Sequence, residues 1–386
     1  MKKLLTLFFI SMFLVSCKKD KKNIDLSADL INTNNLIKEV INEIQNSYVD
    51  DISKEKLEIG AITGMLNTLD EHSVYISKDE FGIYNDSARG AFLGIGIEIK
   101  QIRDGIEIQS VIDNSPAANS GIKPLDIITH INGENVCNIR MKDIIKKLGN
   151  DSITKIKISI LRNKTEKLEL TVKKSVIQLQ SVKLDFIGDV GLIKISYFNE
   201  RTLFCVTQAI KKINKKSAAG VIIDLRNNPG GILEQAIGIS DLFLSNKKII
   251  ELKSRNIEEN QTLFSDDIDL LNGIPIVVLI NNGTASGAEL MASALGENKR
   301  AVLIGERTYG KGSLQTIIPI PGRGAIKLTT AYFISPNGNI INQNGVTPDI
   351  EIKQNAIKKQ NENIDPIIQR ALDLIHGLLV LNETEK

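Results

Sequence analysis

The 386-residue sequence contains no tryptophan, and aromatic residues make up only 4% of it. Its 48 Lys and Arg residues nearly balance its 46 Asp and Glu residues, which leaves a formal net charge of +2. Surfaces that bind nucleic acid combine an excess of basic residues with aromatic side chains that stack on bases. The composition therefore gives no case for a nucleic-acid partner. The length and the 42% hydrophobic content instead predict two or three domains with cores of their own.

Histidine and cysteine are also scarce, with three of each. The sequence has no Cys-x-x-Cys and no His-Glu-x-x-His motif, and its Gly-Lys-Gly-Ser stretch lacks the upstream glycine spacing of a phosphate-binding loop. We therefore expect no cofactor and no metal ion. Cys137 and Cys205 fall in different predicted domains, and we interpret them as small buried residues, although an exported chain would allow them to pair.

The first residues have the pattern of a secretion signal. Two lysines follow Met1, residues 4–15 are apolar, and the apolar run is too short to span a membrane. Leu14-Val-Ser-Cys17 resembles a bacterial lipobox, whose cysteine is lipidated and becomes the new N-terminus. The alternative is an ordinary cleaved signal in which the cysteine is incidental. We expect an exported lipoprotein of the cell envelope, anchored on the periplasmic side through Cys17.

A candidate nucleophile lies in the second half of the chain. The apolar run Ile274–Ile280 predicts a buried strand, Asn281-Asn-Gly283 predicts a turn, and residues 284–295 have helical composition. Ser286 is therefore expected in the first turn of a helix, where unpaired N–H groups favour negative charge. A serine hydroxyl there becomes a nucleophile if a base takes its proton and donors receive the oxyanion.

The base for this serine is not an obvious histidine, because none of the three lies beside a second motif of catalytic type. We interpret His72 as solvent-facing and His130 as a structural residue near a strand end. Lys311 is the better candidate, since glycines on both sides of it let backbone pass close by. A lysine acts as a base only if burial lowers its pKa, and Gln315 is placed to hold the amine by a hydrogen bond.

The stretch Gly-Thr-Ala-Ser286-Gly-Ala-Glu is followed by Gly-Lys311-Gly-Ser-Leu-Gln315, with 25 residues from serine to lysine (311 − 286). Together they resemble the C-terminal processing peptidases, also called tail-specific proteases, and the resemblance extends over residues 37–352. It implies a Ser–Lys endopeptidase that carries a PDZ domain. Ser286 would attack the scissile carbonyl, neutral Lys311 would take its proton, and Gln315 would orient the lysine.

A second turn completes the predicted site. The buried strand predicted at 220–226 runs into Asn227-Asn-Pro-Gly-Gly231, which taken alone is a plain Pro-Gly turn. The resemblance implies that this turn supplies an oxyanion-hole amide. The donors would be the N–H of Gly230 or Gly231, together with the N–H of Gly287 after the nucleophile.

Residues 90–174 resemble a PDZ domain. Phe92-Leu-Gly-Ile-Gly-Ile97 is similar to the carboxylate-binding loop of that fold, and the helix, turn and paired strands expected of it follow in residues 115–133. Family members commonly have glycine where Leu125 stands. The N–H groups expected to hold a terminal carboxylate are those of Leu93, Gly94, Ile95 and Gly96.

The fold class expected is a multidomain α/β protein with a catalytic core that resembles the crotonase and Clp protease architecture. The predicted parts are a lipoprotein-type signal peptide at 1–17, a tether at 18–28, a helical segment at 29–88, a PDZ domain (β-rich with two helices) at 89–174, the serine protease core at 175–360 and a C-terminal helix at 361–386.

The function predicted is that of a serine endopeptidase that recognises the exposed C-terminal tails of protein substrates. An acyl-CoA enzyme is the first alternative, because a Gly-Gly oxyanion hole also suits thioester enolates; Lys311, Gln315, the PDZ domain and the export signal count against it. A PDZ scaffold with an inactive core is the second, and it would require Ser286 or Lys311 to be replaced. The sequence leaves open whether the chain forms a homo-oligomer or works with an adaptor.

Overall fold

The computed structural model describes residues 26–103, 105–112, 114–137, 139–149, 154–163, 165–353 and 365–384. The chain divides into two compact units, the first ending at Leu69 and the second beginning at Asp70. The first unit contains the helices α1 (Leu26–Ser47) and α2 (Lys54–Asn67). Helix α1 thus begins within the predicted tether. The predicted leader, Cys17 and the rest of the tether lie outside the described residues.

The second unit opens with a strand and a helix, β1 (Val74–Ser77) and α3 (Lys78–Arg89). A β-rich region with two helices follows, at the place predicted for the PDZ domain. Its elements are β2 (Ala91–Gly94), β3 (Ile97–Ile102), β4 (Gly105–Val111), α4 (Pro116–Asn119), β5 (Ile127–Ile131), β6 (Glu134–Asn135), α5 (Met141–Gly149), β7 (Lys155–Arg162), β8 (Glu166–Lys173) and β9 (Ser175–Gln178).

Five of these strands form an antiparallel sheet in the order β3-β4-β5-β7-β8, and β6 pairs with β5. Alternate side chains of β7 are buried, as the period of two in the sequence predicts, and they join an isoleucine-rich core around Ile106 and Ile128. Strand β2 pairs with β9, so the chain enters and leaves this domain through one two-stranded ribbon. Among the described strands, β3 pairs only with β4 and therefore keeps a free edge.

The remainder of the second unit is the predicted catalytic core. Its elements are β10 (Val182–Ile187), β11 (Val190–Ile195), α6 (Thr202–Lys215), β12 (Gly220–Asp224), α7 (Leu233–Asp241), β13 (Lys248–Ser254), β14 (Gln261–Phe264), β15 (Ile276–Ile280), α8 (Gly287–Glu297), β16 (Val302–Gly305), β17 (Ser313–Ile320), β18 (Gly324–Ile334), β19 (Ile350–Glu351) and α9 (Pro366–Thr384).

A six-stranded sheet in the order β10-β11-β12-β15-β16-β19 forms the centre of the core, and every pair except β10–β11 is parallel. All residues of β12 and β15 are buried, as expected of strands that are covered on both faces. Helices α6, α7 and α8 contribute to the larger hydrophobic cluster, whereas α9 packs on the other cluster through Ile367 and Ile375. The turns that follow β12 and β15 leave the carboxyl edge of neighbouring parallel strands, where α/β proteins place their sites.

A second sheet is built around the long strand β18. Along one edge of β18 lie β1 and β13, and β14 continues from β13; along the other edge lies β17. Strand β1 precedes the PDZ region in sequence but pairs with residues 324–327 of the core. The segment before the PDZ region is therefore part of the core sheet.

Several sequence predictions need correction. Ser286 is the N-cap residue of α8 and does not lie within its first turn. The segment between β13 and β15 contains a 3-10 turn (Ile257–Glu259) and strand β14, which pairs with β13. Cys137 and Cys205 form no disulfide and are partly exposed. Leu125 has a left-handed backbone (φ 70°), which explains why glycine suits that position.

No helix in the described ranges is both long enough and apolar enough to span a membrane.

Candidate active site

The turn that carries Ser286 has an unusual backbone. Ser286 has φ 55° and ψ −119°, a conformation that costs energy for a residue with a side chain and persists only where the surroundings impose it. Its N–H donates a hydrogen bond (2.8 Å) to the carboxylate of Glu289, three residues into the helix. This is the contact expected of Glu in a Ser-x-x-Glu helix start. The turn presents the serine at the N-terminus of α8.

Glu289 also holds the segment around Lys311. Its fully buried carboxylate accepts hydrogen bonds from the Thr308 hydroxyl, the Gly310 N–H (2.6 Å) and the Lys311 N–H (2.8 Å), besides that of Ser286. Burial raises the pKa of Glu289, and these four hydrogen bonds oppose the rise. Because every partner is a donor, the arrangement suits the ionised carboxylate. One side chain thus fixes the backbone of both turns.

The glycines beside Lys311 are required by the backbone. Gly310 has φ 93°, and a Cβ atom on Gly312 would lie 2.1 Å from the backbone nitrogen of Asn342. Burial lowers the pKa of Lys311, and the positive charge of Lys327, which lines the same pocket, lowers it further. The local structure therefore makes the neutral amine of Lys311 easier to reach than that of a free lysine.

One pocket of about 480 Å³ is lined by Ser286, Lys311 and Gln315, together with Gly230, Gly231 and Gly287. Among the described residues, no hydrogen bond joins the side chains of Ser286, Lys311 and Gln315 to one another. The Gln315 amide nitrogen donates instead to the hydroxyls of Ser313 (2.8 Å) and Thr329 (3.2 Å). The structure brings the three predicted residues to one cavity.

The two predicted oxyanion donors in the glycine turn differ. The Gly230 N–H already donates to the side-chain oxygen of Asn228 (2.9 Å), whereas the N–H groups of Gly231 and Gly287 have no acceptor in the described part of the chain. A Cβ atom on Gly230 would lie 2.8 Å from the Cβ of Ser286, so only glycine fits beside the serine. The geometry therefore favours Gly231 over Gly230 as the partner of Gly287.

Asparagine side chains and backbone groups tie the glycine turn to the serine turn. The Asn227 N–H donates to the Asn281 side-chain oxygen (2.9 Å), and the Asn281 amide nitrogen donates to the Asn227 side-chain oxygen (3.0 Å). The Ala285 N–H donates to the Asn228 carbonyl (2.8 Å). These contacts hold the N–H groups of the two turns at one place, as preorganised stabilisation of an oxyanion requires.

The predicted carboxylate loop of the PDZ region lies between β2 and β3. Leu93 and Gly94 end β2, and Ile95 and Gly96 connect it to β3. The carbonyls of Ile95 and Gly96 accept hydrogen bonds from domain N–H groups at 2.9 and 3.0 Å, and their own N–H groups have no acceptor among the described residues. Gly96 has φ 81° and passes directly against Ser115. The loop offers backbone donors of the kind that a carboxylate needs.

Three polar residues in or next to the pocket were not predicted as site residues from the sequence. The spacing of Glu289 from Ser286 is a recognisable signal, whereas Lys327 lies in an ordinary strand pattern. His72, predicted to face solvent, is partly buried, with 21% of its side chain exposed. Burial and the charge of Lys311 lower the pKa of His72, which places it close to the predicted base. In the described ranges, no group of three or more His, Cys, Asp or Glu side chains is arranged to hold a metal ion.

Three parts of the chain match known protein families. Residues 189–352 match peptidase family S41, residues 94–173 match the PDZ domain, and residues 12–80 match the N-terminal domain of the activating protease CtpB. The carboxy-terminal-processing protease of Bartonella bacilliformis is 36% identical over 321 residues, which are 82% of this chain and 74% of that protein.

The chain belongs to the carboxy-terminal processing proteases. The processing protease CtpA of Bacillus subtilis is similar too, at 33% identity over 90% of this chain and 73% of its own length. This member of the family is a serine-type peptidase with a PDZ domain, as the sequence predicted. The comparisons lend no support to the acyl-CoA or scaffold alternatives.

Solved structures of processing proteases share the fold. A photosystem II D1 C-terminal processing protease superposes with a TM-score of 0.51 at 22% identity, over 82% of this chain and 92% of that one. A putative S41 protease from Bacteroides fragilis gives a TM-score of 0.51 at 18% identity, over 85% of this chain and 91% of that one. The multidomain α/β fold with a PDZ domain, predicted from the sequence, is confirmed.

Proposed function

We propose that Ser286 is the nucleophile and Lys311 the general base of this peptidase. The observation that carries the proposal is the buried carboxylate of Glu289, which holds the backbone of both turns so that the hydroxyl and the amine line one pocket. Ser286 Oγ attacks the scissile carbonyl carbon while neutral Lys311 Nζ takes the hydroxyl proton. The ammonium then gives a proton to the leaving amine, and water hydrolyses the acyl-enzyme by the same route.

The developing oxyanion is received by backbone donors. The N–H groups of Gly231 and Gly287 are suited to this because neither is used within the described part of the chain, and both line the pocket beside Ser286. The hydroxyl and amine of the resting pocket must still come within hydrogen-bond distance. Such contacts often tighten only when substrate is bound.

Gln315 is proposed to orient the lysine. Both hydrogens of its amide are engaged by the Ser313 and Thr329 hydroxyls, so its amide oxygen is the atom available to accept from Lys311 Nζ. Because the Gln315 amide carries no charge, its oxygen can hold the Lys311 amine in position and disfavour the neutral amine only slightly.

The PDZ domain is proposed to bind the C-terminal tail of the substrate. The names of the relatives describe carboxy-terminal processing, and the loop Leu93–Gly96 offers backbone N–H groups beside the free edge of β3. A peptide added to that edge would place its terminal carboxylate at the loop. Tail capture raises the effective concentration of the scissile bond at Ser286.

We propose in addition that the protein is exported and is held at the periplasmic face of a membrane by a lipid on Cys17. The apolar leader and the lipobox pattern in the sequence support this. Mass spectrometry of the mature N-terminus tests it: a lipid-modified Cys17 is expected, and an unmodified terminus downstream of Cys17 would rule it out.

The test of the nucleophile is the Ser286→Ala variant, assayed on an unstructured protein such as casein. Loss of the attacking oxygen should reduce cleavage by about a millionfold, to background. The unfolding temperature should stay close to that of the wild type, because Ser286 is an N-cap residue and the loss of one helix cap typically costs only about 1 kcal/mol. Cleavage near the wild-type rate would refute the assignment and direct attention to Ser293 and Ser313.

A further inference from the structure

A series of three side chains leads from the catalytic pocket to the start of the second unit. The Gln315 amide nitrogen donates to Thr329 Oγ1 (3.2 Å), and Thr329 Oγ1 donates to Asp70 Oδ1 (3.2 Å). Asp70 and Thr329 are 259 residues apart in sequence, with the whole PDZ domain between them. We call this series the Asp70–Thr329–Gln315 relay.

The Asp70 end of the relay is held firmly. Its carboxylate accepts hydrogen bonds from the His72 N–H (2.8 Å), the Ser73 N–H (2.8 Å) and the Ser73 hydroxyl (2.9 Å). Ser73 Oγ in turn accepts from the Thr329 N–H (3.1 Å). Burial alone would raise the pKa of Asp70, but these hydrogen bonds outweigh it and lower the pKa below its ordinary value. The carboxylate therefore stays an ionised acceptor at neutral pH.

Because the Asp70 carboxylate can only accept hydrogen bonds, it sets the direction of the hydrogen bonds that Thr329 and Gln315 make in the relay. An ionised carboxylate cannot donate, so the single hydroxyl hydrogen of Thr329 must point to Asp70. The lone pairs of that hydroxyl then receive an N–H from Gln315. The second N–H of Gln315 is taken by the Ser313 hydroxyl (2.8 Å). An amide side chain could otherwise turn over and exchange its nitrogen and oxygen; here its nitrogen is committed to the hydroxyls of Ser313 and Thr329.

We propose that Asp70 and Thr329 are positioning residues for catalysis, which fix the Gln315 amide so that its oxygen faces the amine of Lys311. The inference rests on the role proposed above for Gln315. Strand β1, which follows Asp70 and pairs with β18, brings the carboxylate to Thr329. The segment before the PDZ domain would thereby help to complete the active site.

The test is a double-mutant cycle on kcat and KM with a peptide substrate. Thr329→Val keeps the shape of the side chain and removes the hydroxyl, and it should lower kcat about tenfold, the worth of one buried hydrogen bond, with little change in KM. Thr329→Ser should restore kcat. In a Gln315→Ala background, Thr329→Val should have no further effect, because it acts through Gln315.

A matched control lies next to Thr329 on the same strand. The Thr330 hydroxyl pairs with that of Thr316 on the exposed side of the hairpin (2.6 Å), so Thr330→Val removes an equivalent hydroxyl with no link to Gln315. Its kcat should equal that of the wild type. If Thr329→Val fails to fold, Thr329→Ala serves in its place: it also removes the hydroxyl and should lower kcat only when Gln315 is present.

The outcomes separate the relay from the proposed function. Equal losses of kcat from Thr329→Val in the wild-type and Gln315→Ala backgrounds would overturn the relay, and so would a control variant that loses as much as Thr329→Val. A Gln315→Ala protein with unchanged kcat would remove both the relay and the role of Gln315. In each case an inactive Ser286→Ala protein would leave the nucleophile assignment standing.

Discussion

The catalytic pocket and the PDZ carboxylate loop both present unused backbone N–H groups, but they are held in different ways. In the pocket, the backbone is fixed by buried polar side chains, among them Asn228, Asn281 and Glu289. In the loop, the backbone is fixed by carbonyls that accept from domain N–H groups and by the close approach of Gly96 to Ser115.

Because they are held differently, the two sites should be sensitive to different kinds of change. Buried polar networks are strong when complete and costly when one member is lost, so single side-chain changes should damage the pocket severely. A loop that relies on main-chain contacts tolerates side-chain changes, and it should respond to changes in the ligand.

The largest effect is expected at the base. Lys311→Arg keeps a positive charge but introduces a guanidinium that does not give up its proton at working pH. Peptide cleavage should fall by about a thousandfold or more, as expected when a general base is lost. The measurement is kcat/KM on a casein-derived peptide. Substantial turnover by the arginine variant would exclude the Ser–Lys mechanism and make the partly buried His72 the next base to test.

The second-largest effect is expected at Glu289, whose carboxylate joins the Ser286 turn to the Lys311 turn. Glu289→Gln keeps the size of the side chain but turns one acceptor oxygen into a donor that faces N–H groups. We expect kcat to fall about a hundredfold and unfolding to become easier by ~2 to 4 kcal/mol, the usual cost of leaving buried polar groups unpaired. Kinetics and thermal unfolding of the same preparation measure both.

Glu297 provides the matched control for Glu289. It lies at the other end of α8 and accepts hydrogen bonds from the Ser335 hydroxyl and the Asn337 N–H at 2.9 and 2.8 Å, away from the pocket. Glu297→Gln should lower stability slightly and leave kcat unchanged. A Glu297→Gln protein as impaired in kcat as Glu289→Gln would mean that the effect is on folding, and the link between the turns would lose its support.

The sequence was informative where local pattern decides structure, and silent where distant residues meet. The apolar runs predicted β12 and β15, and the motifs around Ser286 and Lys311 placed both in one site. The partners of Glu289 and the contact of Asp70 with Thr329 depend on tertiary packing, which brings together residues far apart in sequence. Similarly, the choice between Gly230 and Gly231 required the position of the Asn228 side chain.

The PDZ loop should respond to the ligand. Converting the terminal carboxylate of a tailed substrate to an amide removes the charge that the loop N–H groups would hold. KM should rise about tenfold while kcat stays the same, since a charge-assisted hydrogen bond is lost in binding and not in chemistry. A substrate ending in Asp should behave similarly, because it places a second charge among apolar side chains. Equal KM values for free, amidated and Asp-ended tails would remove the tail-recognition proposal.

The smallest effect separates the two sites by pH. Only the neutral amine of Lys311 accepts a proton, so cleavage should rise with pH through the lowered pKa of Lys311. Lys327→Met removes the nearby positive charge while burial remains, so the pKa of Lys311 rises and the acid limb of kcat/KM should move to higher pH. At a fixed pH on that limb, the variant should be severalfold slower. The preference for a free over an amidated tail should be the same in both proteins, because Lys327 lines the pocket and does not belong to the PDZ loop.

If the acid limb of the pH profile does not move in the Lys327→Met protein, Lys327 does not tune the pKa of the base. If the acid limb and the tail preference both change, the two sites are not separate.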